Sequence, residues 1–548
     1  MAYIDQLIEQ SGQLFDKRTA VLSLWQNIAQ NFYPERANFT NEPGVGEEFG
    51  AELTTSYPVI ARRDLGNAIG SMLRPSSKAW FHIRTPNYDQ LDADAKAWLE
   101  AATAKMRRTM ADRHTQFSRA TKEGDHDFAT FGQAALQVSR NRDASSVLYR
   151  CWHLRDVAWS ENGEGRADAV HRRWRPFARE LAALFPKTAH ASVKTAASKE
   201  PYKEVNVRHC IIPADQYAGS LGKVKTPYVS IYYDVDNKTI LEEAPSQVQE
   251  YLIPRWSTAS GSQYAYSPAT IAALPDARML QDMTRVLLEA GEKATNPPMI
   301  AVQEAIRSDV SIFAGGITWV DADYDERLGE VLRPMASDKS GMPLGLDMAV
   351  STRGMIAEAF FLNKLSLPQP GQDMTAYEVG QRVQEYIRHA MPLFAPLEEE
   401  YNAPLCEATF EVMMQLGKFG APESVPEQLR GQEITFQFES PLHDAVEREK
   451  GQRFLEAQQM LSGAAAIDQN VVDLVDVNVA LRDVLGAVGV PAAWTRTKDA
   501  VDEIAKKRAA MLQQQQLLAS MQQGADVAKT LSDAAGTPAA MGQPTASL

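Results

Sequence analysis

Residues 253–283 read IPRWSTASGSQYAYSPATIAALPDARMLQDM, and at Pro268 the character of the chain changes. From there Leu274, Leu280, Met283, Leu287 and Ala290 recur on one side of a period of about 3.6 residues, up to the breaker Pro297-Pro298. The spacing predicts a long helix with one apolar face. A second helix is expected over residues 347–361. Between the two lies mixed, Gly-rich sequence with Gly315-Gly316, the run Asp321-Ala322-Asp323-Tyr324-Asp325-Glu326 and Gly341-Met342-Pro343, which reads as a small insertion.

Upstream of Pro268, apolar and β-branched runs alternate with turn signals. Residues 146–152 precede Asn162-Gly163-Glu164-Gly165, and residues 228–234 precede Asp236-Asn237-Lys238, so antiparallel hairpins are expected. At the start of the chain, Ile4, Leu7, Ile8, Leu14, Phe15, Val21, Leu22, Trp25, Ile28 and Phe32 fall at three- and four-residue steps, which predicts one long amphipathic helix stopped at Pro34. Downstream, a polar loop punctuated by Pro and Gly covers residues 363–372. A long helical stretch follows over residues 373–418, kinked or broken by Pro392, Pro396 and Pro404. Short strands near residues 434–438 precede helices over about residues 442–461, 471–488 and 497–523. From Gly524 the chain is rich in Ala, Gly, Thr and Gln and too poor in large apolar residues to order itself.

A chain of 548 residues exceeds what one hydrophobic core supports, and roughly three or four compact units are expected. Hydrophobic residues make up 44% and charged residues 23%. No uninterrupted apolar run approaches the ~18 residues needed to span a bilayer. The opening MAYIDQLIEQSG lacks the basic and apolar regions of a signal peptide, so the cytoplasm is the expected compartment. Cys151, Cys210 and Cys406 are widely spaced without CxxC, which supports neither a disulfide framework nor a thiolate zinc site; all three are read as buried thiols. The net charge of −14 excludes tight wrapping of nucleic acid through many phosphate contacts. It does not exclude a conduit, because repulsive walls keep a sliding duplex from sticking.

Catalytic signatures are missing. There is no GxxxxGK[ST], HExxH or GxSxG, and Gly222-Lys223 and Gly417-Lys418 lack the spacing and hydroxyl of a phosphate loop. No cofactor, resident metal or catalytic residue is therefore assigned, and the chain is read as not an enzyme. Asp234 and Asp236 fit the backbone demands of a hairpin turn. Asp321, Asp323, Asp325 and Glu326, alternating on an extended strand, present carboxylates on one face where a divalent ion can bind, and a solvated rim accounts for them equally. Tyr149, Arg150, Trp152, Arg155, Trp159, Arg172, Arg173, Trp174 and Arg175 interleave aromatic and basic residues as a nucleic-acid platform does. On a two-residue repeat the tryptophans instead face a core while the arginines lie outside or pair with acids such as Asp156 and Asp168. Packing is preferred, since a stacking platform would snag a moving duplex.

Several of these segments resemble the head-to-tail connector, or portal, family of short-tailed, T7-like bacteriophages (podoviruses). The opening stretch 253–283 is one. The segment 354–417, GMIAEAFFLNKLSLPQPGQDMTAYEVGQRVQEYIRHAMPLFAPLEEEYNAPLCEATFEVMMQLG, is similar to the family's MTA-x-EV-x-x-R region through Met374, Thr375, Ala376, Glu378, Val379 and Arg382. DFATFGQAALQVSRNRD looks like its N-terminal portion, and SPLHDAVEREKGQRFLEA at 440–457 resembles its SPLARAQ element, with His443 and Asp444 departing from it. No single motif carries chemistry; the order of segments over about residues 1–515 carries the resemblance.

The resemblance implies an α+β, multidomain portal fold with wing, stem helices, clip insertion, crown and C-terminal helical barrel. Mapped by segments, the wing is 1–262, stem helix 1 is 263–294, the clip 295–346, stem helix 2 347–362 and the tunnel loop 363–372. A long kinked helix and return strands of the wing cover 373–440, the crown 441–496, the barrel helix 497–523 and a flexible tail 524–548. It further implies a dodecameric ring at one capsid vertex of the virion, with double-stranded DNA in the channel during packaging and ejection. The implied partners are the large terminase, the tail adaptor, and scaffolding and major capsid proteins, with no membrane. Asn363, Lys364, Ser366, Gln369, Gln372 and Arg353 are the implied DNA-channel residues, and Asp321, Asp323, Asp325 and Glu326 the implied docking residues of the clip. The rival readings are another virion component, an adaptor or internal core protein, and a metal-dependent packaging or injection enzyme. Adaptors are usually much shorter than this chain, which disfavours the first.

Overall fold

The computed structural model describes residues 3–42, 44, 46–75, 79–301, 306, 319, 332–334, 341–362 and 397–439, with scattered positions between 454 and 515. The chain divides into two compact units, Met1–His443 and Asp444–Leu548. The described positions of the second unit are helical. Everything that follows concerns the first, a mixed α+β assembly.

Its N-terminus is two helices, α1 (Tyr3–Asp16) and α2 (Thr19–Phe32), and not the single helix its apolar period predicts. Arg18 explains the break. Its guanidinium is fully buried and donates to the carbonyls of Leu154, at 2.7 Å, and Val157, at 2.6 Å, and also to that of Arg155. The backbone leaves helical geometry at this residue (φ −105°, ψ 14°), and the three carbonyls anchor the chain where the two helices meet. After α2 come α3 (Tyr57–Leu73), β1 (Phe81–Arg84), α4 (Ala93–Ala111) and the central α5 (Phe117–Phe131). Ten of the fifteen α5 residues are buried, so the helix is wrapped on all sides.

The hairpins are present. β2 (Ala135–Arg140) pairs with β3 (Val147–Trp152), and β9 (Tyr251–Leu252) adds to β2. An antiparallel five-stranded sheet follows in chain order: β4 (Val157–Glu161), β5 (Ala167–Trp174), β6 (Val207–Pro213), β7 (Tyr228–Asp234) and β8 (Thr239–Ser246). Two short helices, α6 (Ala178–Leu184) and α7 (Ala191–Lys199), link β5 to β6. The tip between β4 and β5 is the Asn162–Gly165 turn, where the Asn162 side chain accepts from the amides of Glu164 and Arg166. At the β7–β8 turn Asp234 accepts from the Asn237 amide at 3.0 Å and from its side chain at 2.7 Å, while Asp236 accepts from Asn206. Both aspartates are committed to the turn.

The aromatic and basic residues are interior to a degree their alternation hides. Trp159 is buried, but so is Arg172, which was expected outside or paired with an acid. Its guanidinium carbon stacks 3.8 Å from the Trp152 ring centre, and Nε donates to Tyr251 Oη at 2.7 Å. A planar, weakly hydrated guanidinium loses less on desolvation against an indole face than a compact ammonium does. Cys210 and Cys406 are buried as expected, whereas Cys151 is only half-buried, its Sγ lying 3.8 Å from Asp127.

Two short strands β10 (Ser257–Thr258) and β11 (Ala265–Tyr266) lead into α8 (Pro268–Thr295), the helix expected beyond Pro268. Pro268 takes the first turn, where its missing amide costs nothing, and Ser267 caps it. Ser267 Oγ also donates to Ala129 O at 2.7 Å and Thr270 Oγ1 to Thr130 O at 2.8 Å, so α8 starts fixed to the end of α5. β12 (Met299–Ala301) pairs with β13 (Leu332–Pro334). The next helix, α9 (Gly341–Ala359), begins six residues before the expected start, through Gly341-Met342-Pro343, which the sequence places in the insertion between the two helices. A proline in a helix's first turn is permitted. A π-helical turn (Glu398–Asn402) enters α10 (Ala403–Gln415), and β14 (Thr435–Phe438) closes the chain of this unit against β1.

Four histidines packed in this unit set its pH response. Burial lowers His126 and His171 to about 4 and His153 to about 3, and holds His209 well below the usual value. His209 stacks on Tyr232 with ring centres 3.8 Å apart and bonds Ser230 at 2.9 Å. An unfolded chain takes up these protons near pH ~6.5 and the folded one only well below that. Stability from these groups is therefore complete above about pH 6.5 and falls as pH drops toward about 4. Thermal denaturation should show a Tm that is flat from pH 8 to 7 and declines steeply from 6.5 to 5. A flat profile down to pH 5 would contradict this.

Candidate assembly surface

The helices α8 and α9 pack along each other through small residues. At about 100° per residue, Gly345, Ala349, Thr352 and Ile356 of α9 share one side. That side is the packed one: Ala349, Thr352 and Ile356 are buried, and a β-carbon at Gly345 would lie 2.9 Å from Leu287 Cδ2 of α8. On α8, Ala269, Ala273, Ala277 and Leu280 are buried, in a core shared with α2 and α5.

What α9 leaves uncovered is unusual for a surface helix. Leu344, Met348 and Met355, at 63%, 49% and 44% exposure, line one flank. Leu346 and Val350, at 56% and 65%, line the opposite flank. By the same helical geometry each flank lies roughly 95° from the packed side, and Asp347, Ser351 and Glu358 occupy the face opposite it. Val286, Leu288 and Met279 of α8 are exposed as well. Apolar side chains concentrated in this way on two separate flanks mark contact surfaces.

Three arginine contacts, two ionic and one a hydrogen bond to a neutral imidazole, radiate from consecutive residues of α5. Asp125 accepts from Arg74, which also donates to Asn402 Oδ1 at 2.8 Å and lies 4.6 Å from the Tyr401 ring centre. Arg36 binds Asp127 through two hydrogen bonds of 3.0 and 2.7 Å. Arg62 meets His126 Nδ1 at 3.0 Å and stacks on Tyr33. Burial pushes the carboxyls of Asp125 and Asp127 up, and their arginine partners oppose that shift. The network ties α3, α5 and the π-helical turn into one block.

Of the residues singled out in the sequence, Arg353 lies on the Leu346/Val350 side of α9, exposed, with its guanidinium 5.9 Å from the Tyr57 ring centre of α3. Asn363, Lys364, Ser366, Gln369 and Gln372 lie outside the described residues, as do Asp321, Asp323, Asp325 and Glu326. Among the described residues no group of three or more His, Cys, Asp or Glu side chains is arranged to hold a metal ion, and no helix is long and apolar enough to cross a membrane.

The sequence profile of the family described as "Bacteriophage head to tail connecting protein" matches residues 5–495. The chain belongs to that family. Among curated relatives, this connector is 25% identical to the "Probable portal protein" of Bordetella phage BPP-1, over 96% of its own length and 94% of the relative's. It is 24% identical to the "Portal protein" of Salmonella phage epsilon15, over 96% and 95%. A chain from the virion of a native gene transfer agent particle aligns over 80% of the connector and 95% of its own length at 11% identity, with a TM-score of 0.32, too low to bear on the fold.

Proposed function

We propose that the chain is a portal subunit of a short-tailed, T7-like phage. Copies close into a ring at one capsid vertex, and double-stranded DNA passes along its axis during packaging and ejection. The observation that carries this is the pair of opposed apolar flanks on α9, with the packed side turned to α8 and polar Asp347, Ser351 and Glu358 opposite it. A helix built this way meets one neighbour on each flank and leaves a hydrophilic strip for an aqueous channel. The relatives' names agree with it.

In this reading residues 1–262 and 373–440 are the wing, α8 and α9 the stem, 363–372 the tunnel loop, 441–496 the crown, 497–523 the barrel helix and 524–548 a dispensable tail; the clip, expected over 295–346, shortens to 296–340 because α9 already begins at Gly341. The ring is dodecameric. The clip, through Asp321, Asp323, Asp325 and Glu326, docks the large terminase and afterwards the tail adaptor. Asn363, Lys364, Ser366, Gln369 and Gln372 meet the DNA, whereas Arg353, expected there from the sequence, lies on the Leu346/Val350 flank beside Tyr57 and is assigned to the subunit junction; scaffolding and major capsid proteins hold the ring in the virion. The chain supplies a passage and no catalysis, binds no cofactor, and needs no membrane; the force comes from the terminase.

Purified chain without DNA or nucleotide should form rings with a central hole in negative-stain images and a matching mass in light scattering. A monomer at every protein and salt concentration would reject the proposal.

A further inference from the structure

The β4–β5 hairpin carries opposite charge at its two ends. At one end, Arg173 of β5 and Arg208 of β6 are direct cross-strand partners. Their guanidinium carbons lie 3.9 and 5.1 Å from the same Phe15 ring centre at the end of α1. Like charges placed opposite each other on a sheet destabilise it unless something compensates. Among the described residues neither arginine has an ion pair within 4.0 Å. Asp16 and Asp156 act on Arg173 only at longer range, and burial together with Arg173 lowers Arg208 to about 10. Arg155 and the exposed Arg175 extend the cationic surface; they share Glu42, at 3.8 and 3.6 Å, and Arg155 also meets Asp156 at 3.4 Å.

The other end, about 20 Å away along β5, is a cleft of about 650 Å³ between the hairpin tip and the start of α10. Exposed Glu164, Glu399 and Glu407 line it, without an ion pair among the described residues, and Glu400 lies beside them, 3.7 Å from buried Arg255. Burial raises the Glu407 carboxyl and Glu433 adds to this, against the pull of Arg166. Each end thus holds an excess of one sign, Arg155, Arg173, Arg175 and Arg208 against Glu42 and Asp156 at one and Glu164, Glu399, Glu400 and Glu407 against Arg166 and Arg255 at the other.

We infer that the Arg173/Arg208 surface of one copy docks against the Glu399/Glu407 cleft of the next, a second copy of this chain being the partner. The inference rests on the ring reading and specifies one of its contacts. Charge complementarity is the reason for choosing a second copy. The chain carries −14 overall, so copies repel at a distance, and a local pairing of opposite sign offsets that repulsion in one register only. Two unlike patches at opposite ends of one element produce a head-to-tail contact, which closes into a ring or runs on as a filament.

Full-length R173E/R208E, full-length E399R/E407R and the wild type are compared by sedimentation across protein concentration. Each double variant alone is expected to need about tenfold or more protein for half-assembly, because like charges then face each other. An equimolar mixture of the two is expected to assemble as well as wild type, since each interface in an alternating ring then pairs opposite charges. R173Q/R208Q, which keeps polar contact without charge, is expected to weaken assembly less and to remove its salt sensitivity. Wild-type rings matched by R173E/R208E at equal concentration would overturn the contact while leaving the ring. A mixture of well-folded variants that stays unassembled would overturn it too. A monomeric wild type would instead overturn the ring reading beneath it.

Discussion

Leu346→Glu with Val350→Glu should abolish ring formation and leave a folded monomer. Burying an exposed Leu or Val side chain contributes about 1.5–3 kcal/mol, and these two are 56% and 65% exposed in the single chain. In a head-to-tail ring they are covered by the neighbour's Leu344, Met348 and Met355. A carboxylate placed there removes the apolar gain and adds a buried charge without a partner. The monomer tolerates the change because neither side chain packs on its own core. Leu344→Glu with Met348→Glu should have the same effect from the other flank. Mixing the two variants discriminates between geometries. Head-to-tail contacts leave one competent junction in the mixture, so two monomeric variants should give a heterodimer and stop there. Contacts of each flank with its own kind would instead let each variant dimerise by itself. Ser351→Glu, on the face opposite α8, should form normal rings.

The sequence announced α8 and the hairpins. The helix was legible from its apolar residues between Pro268 and Pro297, but not its buried face: Leu274 and Met283 fall on opposite sides, and the buried stripe is Ala269, Ala273, Ala277 and Leu280; β7 is bounded by a turn whose Asp-Asn chemistry is local. The flanks of α9 were not legible in GMPLGLDMAVSTRGMIAEA. Apolar residues fall on three of its four sides, so its pattern has little amphipathic direction and reads as helix without saying what each side meets. Only the packing of Ala349, Thr352 and Ile356 against α8 separates covered from uncovered. Arg18 defeated the reading of α1 and α2 for a related reason. Its partners Leu154 and Val157 lie far along the chain, and nothing in the local period signals that a buried cation will bend it. The collinear segments placed the chain in its family, as the match over residues 5–495 shows. They pointed at Lys364 and Asp321, and left unremarked the consecutive Asp125, His126 and Asp127. A signal existed: three ionisable residues in succession on a helix otherwise filled by Phe128, Ala129 and Phe131 need arginines elsewhere to pair them.

Asp125→Ala should cost about 3–5 kcal/mol, among the largest single effects in this unit. The reason is the arginine it abandons. Side chains of Arg74 and Asp125 are each only 5% exposed, so no water replaces the lost carboxylate around the guanidinium. Asn402 offers Arg74 a neutral oxygen and Tyr401 a ring face, and neither carries the opposing charge. The helices α3 and α5 approach so closely here that a β-carbon at Gly70 would stand 2.7 Å from Asp125 Oδ2, which leaves no slack for the pair to rearrange. Arg74→Met together with Asp125→Leu removes both charges and fills the space with apolar atoms. The double variant should recover most of the loss, as buried pairs exchanged for hydrophobes commonly do. Chemical denaturation of wild type, both single variants and the double variant measures the coupling directly. Because Arg74 also holds Asn402, the single variants should in addition show faster proteolysis near the π-helical turn Glu398–Asn402 than elsewhere in α10. A loss below about 1 kcal/mol for Asp125→Ala, or a double variant no more stable than the singles, would show that the pair is solvated and does not hold the turn to α3 and α5.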